Sequence, residues 1–152
     1  MLMSFFTLFL LLAPTVDDFK KEMAPLQSAV DGLISSTGAQ VLQRSRATYI
    51  EGYGVIVFVE IAFEPPQGIF STPKRPEEVR STIAQRRQDV REKFTTFVKQ
   101  RIVTTNSIGS TESLAIVVHV LNTNPADVPN LPGQIQFTAK RDNPQQVAFR
   151  EF

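Results

Sequence analysis

The chain has 152 residues, 42% of them apolar and 20% charged, ordinary proportions for one folded domain with a real core rather than for a disordered segment. Sixteen basic residues against fifteen acidic ones leave a net charge of +1, so total charge selects no partner and only local clustering can. The absence of cysteine excludes disulfides, thiolate chemistry, cysteine zinc sites and a lipid-modified cysteine anchor, and one histidine, His119, is too few for a histidine metal site within one chain; no metal or cofactor is expected.

Residues 1–16 carry no charged side chain, and Phe5 to Ala13 form an apolar run of signal-peptide length. A comfortable bilayer span needs roughly 20 such residues. No lysine or arginine precedes the run and the small-residue spacing for cleavage is imperfect, so a buried apolar helix or an uncleaved anchor also fits. The expected division is a signal peptide or apolar segment at 1–16, a single domain at 17–141 and a C-terminal tail at 142–152 of open structure. Export to the periplasm or cell envelope of a bacterium is the expected location.

Asp17 to Ser36 reads as a helix: Asp17 and Asp18 suit the positive end of the dipole, and Phe19, Met23, Leu26, Val30, Leu33 and Ile34 recur at helical spacing. Pro25 and Gly32 predict a kink or two shorter pieces. Residues 40–50 form a mixed strand, Gly52-Tyr53-Gly54 a tight turn, and Val55 to Phe63 a strand apolar on both faces except at Glu60. The four prolines between Glu64 and Pro76 preclude a regular element there. Pro76 then opens a helix running to about Ile102, whose Val79, Ile83, Val90, Phe94, Phe97, Val98 and Ile102 form one stripe. Leu114 to Leu121 is a second continuous apolar strand, 122–133 a proline- and asparagine-rich loop, and 134–140 a cleanly alternating strand.

The order α-β-β-α-β-β predicts an α+β fold of two or three layers with a four-stranded mixed sheet. The strands at 55–63 and 113–121 become parallel, central neighbours joined by a right-handed crossover, with 40–50 and 134–140 as antiparallel edges. The long helix covers one face, and the first helix or another subunit must cover the other.

Five residues are weak candidates for a binding site. Glu60 is a lone carboxylate in an apolar strand; an ion pair with Arg44 or Arg46 is its expected role, a proton donor with a raised pKa the alternative. His119, on the parity of Ala115, Val117 and Leu121, is expected to be a buried or partly buried structural histidine. Arg80, Arg87 and Arg91 share a flank of the long helix, in a stretch from Lys74 to Arg101 holding nine basic residues against four acidic. That flank could track nucleic-acid phosphates or an anionic envelope component, but its glutamines, its acids and the absence of aromatic stacking residues point to a solvated surface, and export disfavours nucleic acid. Ser71-Thr72-Pro73-Lys74 has Ser-x-x-Lys spacing, but Pro73 interrupts it within a loop, where that chemistry needs a helix start. No Walker loop, dinucleotide fingerprint, nucleophile elbow, calcium loop or metal-binding His-Glu pair is present.

The segment from Tyr49 to Glu60, with its Gly52-Tyr53-Gly54 turn before an apolar strand, resembles one found in exported bacterial proteins of no assigned activity. The resemblance spans about residues 40–120 and implies a bacterial envelope setting; it carries no site residues. The leading expectation is a non-enzymatic exported module acting through protein–protein or envelope contacts, either as a homo-oligomer or with another protein. A small-molecule binding or hydrolytic domain framed by the loops at 64–76 and 122–133 is the second reading. A cytosolic nucleic-acid binder using the helix at 76–102 is the third.

Overall fold

The structure is a computed structural model that describes residues 16–66 and 68–152. The apolar segment at 1–15 lies outside the described residues, and the expectation of a leader with it. Helix α1 (Val16–Ser35) carries Asp17 and Asp18 in its first turn and buries Met23, Leu26, Val30 and Ile34 along one side. It continues through Pro25 as one 20-residue helix, which excludes the alternative of two shorter pieces. Pro25 and Lys21 are both exposed, so water can take the carbonyl that the missing N–H leaves free. Gly38, at φ 77°, closes the helix in the left-handed region that favours glycine.

Strands β1 (Gln40–Ile50) and β2 (Gly54–Ala62) form the expected hairpin. Helix α2 (Pro76–Thr104) starts with Pro76 in its first turn and buries the seven stripe residues read from its periodicity. Strands β3 (Ser113–Val120), β4 (Gln134–Lys140) and β5 (Asn143–Glu151) complete the chain. The fold is therefore α+β, with two helices and a five-stranded mixed sheet ordered β1-β2-β3-β4-β5. The two apolar strands β2 and β3 are parallel neighbours joined through α2, and every other pairing is antiparallel.

One expectation is corrected, and one left open is narrowed. The sheet has five strands, because the tail at 142–152 adds β5 and turns β4 from an edge into an interior strand. The cause is local: β4 offers an unpaired edge, and Phe149 of β5 packs against Phe137 with ring centroids 5.4 Å apart. In addition, both helices pack on one face. Residues of α1 and α2 share a single buried cluster with Val55, Val57, Val59 and Ile61 of β2 and Leu114, Ile116 and Val118 of β3. Among the described residues, no helix covers the opposite face, and none is long and apolar enough to cross a membrane.

Candidate functional site: the uncovered face of the sheet

Side chains alternate across a strand, so the residues between the core positions must point away from the helices. Strand register then orders them into rows. One row runs Arg46, Phe58, Val117, Gln136 and Arg150 across all five strands. The next runs Thr48, Ile56, Ala115, Thr138 and Ala148, and on the other side lie Gln43, Glu60, His119 and Gln134. The middle of this face is apolar. Ala115 and Val117 are nearly inaccessible, although no helix among the described residues lies over them. Phe58 is 40% exposed, and its ring lies 6.4 Å from that of His119 with planes inclined by 19°.

The rim is polar and mostly cationic. Arg46 and Arg150 end the Phe58 row on opposite edges of the sheet, and neither has an ion-pair or hydrogen-bond partner among the described residues. Tyr53, Gln136, Thr138, Ala148 and Arg150 line a shallow depression of about 220 Å³. Beside it Thr138, Lys140, Asp142, Asn143, Gln146 and Ala148 line a second of about 640 Å³. Both depressions are open and lined largely by polar side chains, unlike the enclosed apolar pockets that hold small molecules.

The sequence candidates divide between this face and the rest of the molecule. Glu60 and His119 are register partners here. Glu60 makes no ion pair with Arg44 or Arg46, contrary to expectation: bulges in β1 set Gln43 against Glu60 and Arg46 against Phe58. His119 is exposed rather than buried or partly buried, on the side of the sheet that no helix among the described residues covers. Arg80 is exposed on α2. The other two arginines of that flank are used within the chain. Arg87 Nε donates to Glu151 Oε1 at 2.7 Å and its Nη2 pairs with the other carboxylate oxygen, while the Arg91 guanidinium lies 4.5 Å above the Phe149 ring. The Glu151 hydrogen bond holds the Arg87 guanidinium even further above its already high pKa.

Three carboxylates that sequence patterning did not single out are structural. Buried Glu64 accepts from Lys74 at 2.7 Å and Arg86 at 2.8 Å, and its carbonyl accepts the Thr123 hydroxyl at 2.8 Å. This brings the 64–76 and 122–133 loops together, as the second reading requires. It also occupies Lys74, while the Ser71 hydroxyl turns back to the Gly68 carbonyl, so the Ser-x-x-Lys pair is not assembled. Glu112 accepts from the Tyr49 hydroxyl at 2.6 Å and from the Gly109 and Gly52 N–H groups, tying the end of β1 to the loop before β3. Burial pushes the Glu112 carboxyl up, but these hydrogen bonds together outweigh it and leave its pKa below the usual range. Glu22 of α1 takes the backbone N–H groups of Asn106 and Ser107 and the Ser107 hydroxyl, with the same balance and the same downward result. Among the described residues, no buried side-chain polar atom lacks a partner.

No protein-family model, curated protein or solved structure matches the chain, so the site is read from its own chemistry.

Proposed function

We propose that the protein is a non-enzymatic, exported module of the bacterial cell envelope that binds an acidic protein surface through the uncovered face of its sheet. The observation that carries this reading is the Arg46–Phe58–Val117–Gln136–Arg150 row. It places an apolar centre between two unpaired guanidinium groups, the layout of an exchangeable protein interface with a dry middle and a polar rim. Five strands about 4.8 Å apart, paired over a length of about seven residues, make a face of about 500 Å². That is the low end of what specific partners bury on each side, so the contact is transient. A second copy would bring the same guanidinium groups, whereas an acidic surface brings their complement. The apolar run at 5–13 and the likeness of the Tyr49–Glu60 segment to exported bacterial proteins support the envelope setting.

The test is the size of the complex that holds the protein in envelope fractions of its natural host. The wild-type chain is expected to migrate well above its own 17.0 kDa, and Arg46→Glu with Arg150→Glu to release it. A complex unchanged by both reversals would place the interface elsewhere, and a species of twice the chain mass would make the partner a second copy.

A further inference from the structure

A second exposed apolar feature lies away from the sheet face. Gly68 to Ser71 form a turn closed by the Ser71 N–H on the Gly68 carbonyl at 2.9 Å, and its two central side chains point wholly into solvent: Ile69 is 97% exposed and Phe70 101%. The C-terminal side of the turn is tied back to the end of β2. Lys74 bonds Glu64 across ten residues, Arg86 grips the same carboxylate, and Pro65, Pro66 and Pro73 stiffen the legs. Leu121, which follows β3, is 48% exposed at the same end of the sheet, where β2 and β3 both finish. At the foot Lys74 and Arg86 pair with Glu64 and Arg75 with Glu78, while Arg80 and Glu77 are exposed on the first turns of α2, so four cations meet three carboxylates, a surplus of one positive charge. From Gly68 to Arg75 there are two cations and no acid.

From these observations we infer that the Gly68–Ser71 turn is a lipid-contact tip that seats Ile69 and Phe70 in the interfacial layer of an anionic bilayer. A convex tip of two adjacent apolar side chains offers too little surrounding surface for a specific protein interface. A bilayer interface accepts such a tip without needing complementary shape. The foot then sits at headgroup level, where its positive surplus meets anionic lipid. Pinning at Glu64 means that little ordering is lost on insertion. The contact is weak, apolar in the main and modestly salt-dependent, and it does not rest on the role assigned to the sheet face.

The chain contains no tryptophan, so Phe70→Trp gives the full-length protein a single indole reporter at the tip. A local reporter is needed because the apolar run at 5–13 can carry the chain to lipid by itself. Titrating this variant with vesicles of phosphatidylcholine containing about a third phosphatidylglycerol is expected to shift the emission to the blue. Brominated lipid is expected to quench it, and added Ile69→Asp to abolish both effects with circular dichroism unchanged. Emission that stays that of a fully solvated indole throughout the titration would overturn the inference. So would a blue shift that follows protein concentration without lipid, which would make a second copy the occupant.

Discussion

Phe58 and His119 stand beside each other on the two parallel strands β2 and β3, ring centroids 6.4 Å apart, on the side of the sheet that neither helix covers. Parallel register makes them diagonal neighbours, since Phe58 pairs with Val117 and Glu60 with His119. A crossover helix can cover only one face, and here α1 joins α2 on that face instead of taking the other. The exposed pair is the consequence of that packing.

Truncating Phe58 should therefore cost little stability. Phe58→Ala is expected to lower the unfolding free energy by less than about 1.5 kcal/mol, against about 3–5 kcal/mol for the fully buried Phe94→Ala. Urea denaturation of the two variants measures both. Equal losses would mean that Phe58 is covered in the isolated chain.

The basic flank of α2 should not bind nucleic acid. Arg87 is committed to Glu151 and Arg91 to Phe149, so both fasten β5 to the helix. Arg87→Ala is expected to cost about 1 kcal/mol, a small value because both partners stay partly exposed. Single-stranded DNA at low salt should give no binding change in anisotropy. Salt-sensitive binding lost in Arg80→Ala would favour the nucleic-acid reading instead.

Stability should fall at both ends of the pH scale through one contact. Glu112, like Glu22, titrates below its unfolded value of about 4.3, so its contribution is present above that value and lost as pH drops through the folded one. Tyr49 is shifted the other way. Its hydrogen bond to Glu112 raises it to about 12, so its contribution is complete below about pH 10 and lost as pH rises from there to about 12. In a Tyr53→Phe variant, where Tyr49 is the only tyrosine, phenolate absorbance should appear near pH 12. Adding Glu112→Gln should bring it back toward 10 and flatten the acid limb of a thermal-melt series. An ordinary tyrosine titration with Glu112 intact would refute the coupling.

The two turn glycines should differ sharply. Gly54 has φ 115°, and a Cβ there would sit 2.8 Å from the Ser113 nitrogen and closer still to its carbonyl oxygen, so Gly54→Ala must force β2 and β3 apart. Gly52, at φ 77°, has open space, and its substitution meets only the backbone cost of about 1–2 kcal/mol. Thermal melts should show a modest drop for Gly52→Ala and loss of cooperative unfolding for Gly54→Ala.

These contrasts also show where the sequence was readable. The stripe of α2 and the alternation of β4 each report one buried face, and both elements appear within two residues of expectation. The final strand was not legible, because Asn143 to Glu151 offers only Val147 and Phe149 as spaced large apolar residues behind Pro144. Its pairing comes from the open edge of β4. His119 was misplaced for a related reason. An unbroken apolar run implies two covered faces, and on the face that neither helix covers Ala115 and Val117 are buried while His119, further along, is exposed. Glu60 and His119 stand out in the sequence as polar residues within apolar strands. Phe58, Arg150 and Tyr53 do not, since only cross-strand register brings them onto one face.

The most direct test of the uncovered face as an interaction surface is site-specific photocross-linking in the natural host. A benzophenone side chain replaces Phe58 in one strain and Arg80, on the helix side, in another. Position 58 should capture one defined protein with an acidic surface, position 80 should not, and Arg150→Glu should remove the adduct. Equal capture at both positions, or none at 58 in a folded and correctly localised protein, would contradict the account.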